Sequence, residues 1–283
     1  MNSDGQLIIS DLLLYLVLLT FVFILIIYLY GVIDDDSTDV VGDSYYNNKL
    51  NSVMSMLVLS GGSPSNWEYL SDDKVESIGL CKSGNGSYVI SYDKLMRLRG
   101  DDYLLGKFLS DVDYVCLYPR DNPDNIINIH GKYTSGTDKN ILTKSVVVIM
   151  DYGFDILPIR NDTMDYNCPL NHFNDSHSWS CKSFMIDSSK LSNGKYYLVT
   201  NKSCRYVLSN TYGESYSYQS SGYVDITDKI KTLCNNAHNE TITIHINNSN
   251  SINYLAYDDE DRYNHIASVI YPEVYILQIG LSM

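Results

Sequence analysis

The sequence has no lysine, arginine or histidine before Lys49. An ordinary secretory signal peptide opens with a basic region, so the N-terminus does not read as one. The same absence leaves no flanking charge from which the positive-inside rule could orient an apolar segment. Basic residues are scarce throughout: 20 Lys and Arg stand against 34 Asp and Glu, a net charge of −14. Nucleic-acid binders need basic patches, so no nucleic-acid partner is expected. An acidic surface suits contact with water, salt or cations. Also missing are a G-x-S-x-G nucleophile motif and a motif around any cysteine. Gly84-Asn-Gly86 lacks the lysine and following helix of a phosphate-binding loop. No catalytic residue, cofactor site or metal site is assigned, and the chain is not expected to be an enzyme.

Against these absences stands one long apolar run. Leu12–Ile33 contains 22 residues and no charge. As a helix it would reach about 33 Å, against a hydrocarbon core of about 30 Å. The run ends in Tyr28-Leu-Tyr-Gly-Val-Ile, without the small residues of a signal-peptidase site. It is read as a retained single-pass membrane helix with the N-terminus cytoplasmic and the remainder external. Beyond it lie six cysteines: Cys81, Cys116, Cys168, Cys181, Cys204 and Cys234. An even count in an external domain suggests up to three disulfides of undetermined pairing. Six N-glycosylation sequons lie there too, at Asn85, Asn161, Asn174, Asn201, Asn239 and Asn247.

The fold class expected is α+β: a long N-terminal helix, then a mostly antiparallel, β-rich ectodomain with a few short helices. Leu50, Val53, Met54, Leu57 and Val58 recur at helical spacing, and Gly61-Gly62 with Pro64 stops that helix. Ser91–Gly100 reads as a capped short helix closed by glycine, and Tyr103–Leu109 as a second. Strands are expected at Val112–Tyr118, Ile126–His130, Ser145–Met150, Lys195–Thr200 and Arg205–Leu208. In Thr241–Ile246 the three isoleucines share one face. Asn193-Gly194 marks a tight turn. A helix from Asp228 to about Cys234 is capped by Thr227, and Ile266–Tyr271 and Val274–Ile279 close the chain as strands around Pro272. The divisions are a leader over 1–5, the span over 6–33, an acidic segment and stem helix over 34–60, and the ectodomain over 61–283. The last is β-rich from about 112.

Cys168, His172, His177 and Cys181 form the one cluster with metal-like residue types. Its spacing matches no common zinc module, and a Cys168–Cys181 disulfide closing a loop is the preferred reading. Asp258–Asp261 and Asp34–Asp36 lack the alternating ligands and glycine of a calcium loop and read as solvated acidic loops. His130, His238, His245 and His265 are scattered. The 26 tyrosines read mostly as packing, with exposed ones able to contact sugars or proteins.

Gly5-Gln6, the short apolar lead with Asp11, and the apolar helix together resemble archaeal type IV pilin-like proteins with class III signal peptides. That resemblance implies cleavage between Gly5 and Gln6 by a prepilin peptidase, with the helix retained in a filament core. It also implies that Asp11 pairs with the free amine of a neighbouring subunit. Gly61-Gly-Ser-Pro-Ser-Asn-Trp67, Ile78-Gly-Leu80, Asp93-Lys-Leu95 and Tyr223-Val-Asp-Ile-Thr227 resemble motifs of such ectodomains. Trp67 is expected to pack the base of the domain and Pro64 to shape the loop that leads into it. The function implied is a structural, non-catalytic surface subunit, partnered by membrane, other subunits and the peptidase. The alternative is an anchored ectodomain that binds a protein or glycan without polymerising.

Overall fold

A computed structural model describes residues 19, 20, 22, 23, 26, 44–82, 88–133, 141–159, 179–212, 215–220, 222–234, 239–247 and 251–282. Helix α1 covers 44–59. It is followed by β1 (Val89–Ser91), α2 (Tyr92–Arg99), α3 (Asp102–Leu109), β2 (Tyr114–Pro119), β3 (Ile127–His130) and β4 (Ile141–Asp151). Then come β5 (Asp155–Ile159), β6 (Trp179–Asp187), α4 (Ser188–Asn193), β7 (Lys195–Thr200), β8 (Cys204–Asn210) and β9 (Ser215–Ser220). The chain closes with β10 (Tyr223–Asp225), α5 (Thr227–Leu233), β11 (Asn239–Asn247), β12 (Asn253–Asp258) and β13 (Val274–Ser282).

Two hydrophobic cores organise these elements. In the first, a sheet of order β1-β4-β13-β2-β3 is antiparallel except for the β1–β4 pair. Leu50, Met54 and Leu57 of α1, Leu95 and Leu98 of α2, and Leu104 of α3 pack with strand residues such as Val115, Val148 and Leu277. The second core lies between two four-stranded sheets, β10-β7-β12-β5 and β6-β11-β8-β9. Alternation sends Ile242, Ile244 and Ile246 of β11 into that core, against Leu198 of β7 and Leu255 of β12. Ile230 and Leu233 of α5 pack into the same core.

The chain crosses between the cores twice: from β4 to β5, and back through a 3-10 segment, Tyr263–Val269, into β13. Ile266 of that segment is fully buried with Tyr197, Val199 and Ala256, on the far side of the β7–β12 sheet. One buried side chain in seven residues explains why the strand expected at Ile266–Tyr271 does not form. Asn193-Gly194 likewise ends α4 rather than making a hairpin turn. Thr227 opens α5 instead of capping it; its Oγ1 accepts from the Tyr196 N–H at 2.9 Å.

Three expectations are corrected. The fold class built on a long membrane helix does not hold: the described residues are β-rich, and among them no helix is long and apolar enough to cross a membrane. The described part of helix α1, 44–59, carries Asn47, Asn48, Lys49, Asn51 and Ser52. Its apolar stripe packs into the first core. The single-pass anchor, and the localisation drawn from it, therefore lack structural support. Of Leu12–Ile33 only Leu19, Thr20, Val22, Phe23 and Ile26 are described; the rest, with Gly5, Gln6 and Asp11, lies outside the described residues.

The disulfide framework is the third correction, since no disulfide joins the cysteines among the described residues. Cys116 sits in the first core's sheet and Cys204 in the second core, where each fills space as a small apolar side chain. Cys81, Cys181 and Cys234 are distributed over other elements, and Cys168 lies outside the described residues.

Candidate functional site

The motif Gly61–Trp67 folds as a tight loop closing α1. Gly62 has φ +81°, a left-handed value that suits glycine, and any Cβ there would strike the Trp67 ring. The Ser63–Pro64 peptide is cis. Trp67 is fully buried and donates from Nε1 to the Gly79 carbonyl at 3.0 Å. Gly79 is required by close approach: a Cβ would stand 2.2 Å from the Ser60 carbonyl oxygen. Thus the loop, Ile78–Leu80 and Trp67 interlock.

The third motif, Asp93-Lys-Leu95, enters from α2. Ser91 caps that helix, its side chain accepting from the Lys94 N–H. Lys94 then runs inward, 2% exposed, beneath the loop. Its Nζ donates to the carbonyl oxygens of Gly61 at 2.6 Å, Ser65 at 2.8 Å and Cys81 at 3.3 Å. An ammonium has three donors, and three carbonyls use them all. Burial lowers the Lys94 pKa, while nearby Glu68 opposes that shift. Glu68 Oε2 stands 3.9 Å from Nζ and has no hydrogen-bond partner among the described residues.

Above this floor opens a polar cleft of about 380 Å³, lined by Ser65, Asn66, Tyr69, Lys82, Asp93 and Asp151. Lys82 pairs with Asp151 at 2.8 Å, and the other Asp151 oxygen accepts from Gly153 N–H. Tyr69 is 70% exposed and donates its hydroxyl to Asp93 Oδ2 at 3.3 Å. Burial and the Asp93 charge push that phenol above its ordinary value, so it remains a donor. Arg262 reaches Asp93 Oδ1 at 2.6 Å, bonds the Tyr152 carbonyl and Glu260, and lies over the Tyr92 ring. The cleft wall is therefore fixed by an arginine that follows β12 of the second core.

Beside Arg262, Glu273 accepts from Tyr152 OH at 2.5 Å and Tyr275 OH at 2.9 Å, with His265 Nδ1 at 3.1 Å. His265 stacks on Tyr152 with ring centroids 4.0 Å apart. Burial would raise the Glu273 pKa, but these hydrogen bonds outweigh it and lower it. A second titratable row crosses the β6-β11-β8 sheet. Register places Cys181 beside His245, with Sγ to Nδ1 at 3.1 Å, and His245 Nε2 lies 2.8 Å from Ser209 Oγ. Cys181 is 2% and His245 0% exposed, so no substrate reaches this pair. The sequence singles out Cys181 by its spacing to Cys168; only strand register shows the histidine beside it.

The other expected residues take plain places. Asp258 caps its own loop, accepting from Glu260 N–H and Arg262 N–H, while Asp261 pairs with Lys195 at 3.1 Å. His130 lies on β3, whereas His172, His177, His238 and Asp34–Asp36 fall outside the described residues. Among the sequons, Asn247 is exposed at the end of β11, and Asn201 Oδ1 accepts from Ile252 N–H. Asn239 begins β11; Asn85, Asn161 and Asn174 are outside the described residues. Comparisons of the chain with protein-family models, with curated proteins and with solved structures find no match.

Proposed function

We propose that this chain is a non-catalytic recognition protein that binds a hydroxyl-rich ligand of the glycan class in the cleft over Lys94. The observation that carries the reading is Tyr69, an exposed aromatic ring set against Asp93 and Asn66 in a polar cleft. A sugar ring offers an apolar face to an aromatic platform and paired hydroxyls to planar carboxylate and amide groups. The cleft volume lies within the range of small-ligand sites. A neutral polyol also meets no repulsion from a chain of net charge −14.

The reading is non-catalytic because the groups facing the cleft are held in pairs, apart from Glu68, whose Oε2 lies 3.9 Å from Lys94 Nζ without a hydrogen bond among the described residues. Lys94 is saturated, Asp93 is held by Arg262 and Tyr69, and Asp151 by Lys82 and Gly153. Saturation-transfer NMR against a panel of neutral oligosaccharides, followed by calorimetry, tests this reading. Tyr69→Ala is expected to weaken a bound sugar about tenfold, about 1.4 kcal/mol, and Tyr69→Phe to keep most of the affinity. Equal affinity of wild type and Tyr69→Ala would sink the proposal.

A second reading, a structural subunit that assembles with copies of itself, is favoured by the interlocking of three sequence motifs around Lys94. That interlock serves rigidity rather than turnover. Sedimentation of the full chain over a range of concentrations tests it: assembly that grows with concentration supports the reading, and a monomer throughout overturns it.

A further inference from the structure

The sandwich around the second core is not sealed on the side where its edge strands β5 and β6 meet. A slot of about 450 Å³ enters there between the two sheets. Its depth is apolar and aromatic: Leu157 of β5, Phe184 of β6, Tyr196 of β7, and Leu255 and Tyr257 of β12. These are the strand positions that face the core, so the slot is a gap in the packing between sheets. Exposed Ile156 and Met185 extend the apolar wall outward.

The mouth has a different character. Asp155 and Asp187 stand at its rim with Lys190, the one cation lining the slot among the described residues. Lys190 Nζ is 2.9 Å from Asp155 Oδ2 and 4.8 Å from the centroid of the Tyr257 ring. The hydrogen bond that Lys190 donates to Asp155, with the charges of Asp155 and Asp259, outweighs burial and raises the Lys190 pKa. The rim thus carries more negative than positive charge, and its own lysine already shows the seat it offers: a carboxylate beside an aromatic face.

We propose that this slot binds a small amphipathic organic cation, its apolar body between the sheets and its ammonium on Asp155 and the Tyr257 face. Binding displaces Lys190, whose side chain is about half exposed and free to swing into solvent. An anion would meet Asp155 and Asp187, with no further cation among the described lining residues to receive it. The site is separate from the cleft over Lys94 and stands or falls without it.

Phenylbutylamine, phenylbutyrate and phenylbutanol share one apolar body and differ in the head group, which makes them suitable probes of the full chain. Titration followed by amide and methyl NMR is expected to show the amine shifting Ile156, Met185 and Tyr257, at least about tenfold tighter than the carboxylate. Lys190→Ala removes the resident cation and is expected to tighten the amine about three- to tenfold; Asp155→Asn is expected to weaken it similarly. Both positions are on the surface, so both variants fold. Absent shifts in the slot, equal affinity for amine and carboxylate, or an amine affinity unchanged or weakened by Lys190→Ala would each overturn the proposal.

Discussion

Lys94→Met is expected to cost about 3–5 kcal/mol of folding stability, a large share of a total of about 5–15 kcal/mol. Methionine fills much of the lysine's volume, so the loss measures the ammonium rather than a cavity. Without it, the carbonyls of Gly61, Ser65 and Cys81 lose their shared donor in a buried setting. Glu68, already lacking a hydrogen bond on Oε2, also loses its neighbouring cation. Arginine is no remedy, because its planar fork cannot converge on three carbonyls around one nitrogen. Urea unfolding read by the fluorescence of buried Trp67 gives the number. Adding Glu68→Gln to Lys94→Met should recover part of the loss, since the second change removes the stranded charge. A loss below about 1 kcal/mol would show that the ammonium is solvated and the cradle incidental.

That lysine also marks the limit of what the sequence discloses. Strands with a strict alternation are legible: Thr241–Ile246 lies within β11, and its isoleucines face the second core. Ser91 caps α2 as its side-chain chemistry requires. Lys94 is opaque, because a lysine on a short helix beside Asp93 reads as a solvated face. What turns it inward is a ring of backbone carbonyls from two other segments, 13 to 33 residues away. Arg262 and Asp93 are 169 residues apart, and no local pattern links them. The strand misread at Ile266–Tyr271 has the same origin: the apolar residues are there, but a 3-10 turn buries Ile266 at the junction of the cores. The cleft joins a motif legible as a unit to partners that only the tertiary fold supplies.

Raising the pH is expected to unfold the protein cooperatively between about pH 9 and 12, and the sign follows from its buried acids. Burial pushes the thiols of Cys116 and Cys234 from 9.0 up to about 11. It pushes the phenols of Tyr114, Tyr196 and Tyr206 from 10.0 up to about 12. In each case the folded chain holds its proton where the unfolded chain has released it. Stability from these groups is therefore complete below about pH 9 and falls as the pH climbs through 9 to 12. Lys94 acts in the opposite sense: its folded pKa is lowered, so stability rises as pH moves from that value toward 10.5. One lysine opposes five raised acids, and the acids win. Denaturant unfolding at a series of pH values should show stability level to about pH 9 and then dropping. Tyrosinate absorbance should show a late step, from the buried rings of Tyr114, Tyr196 and Tyr206, that coincides with loss of the fold. Smooth titration of all 26 tyrosines with no late step would mean that the sheets do not seal their rings from water.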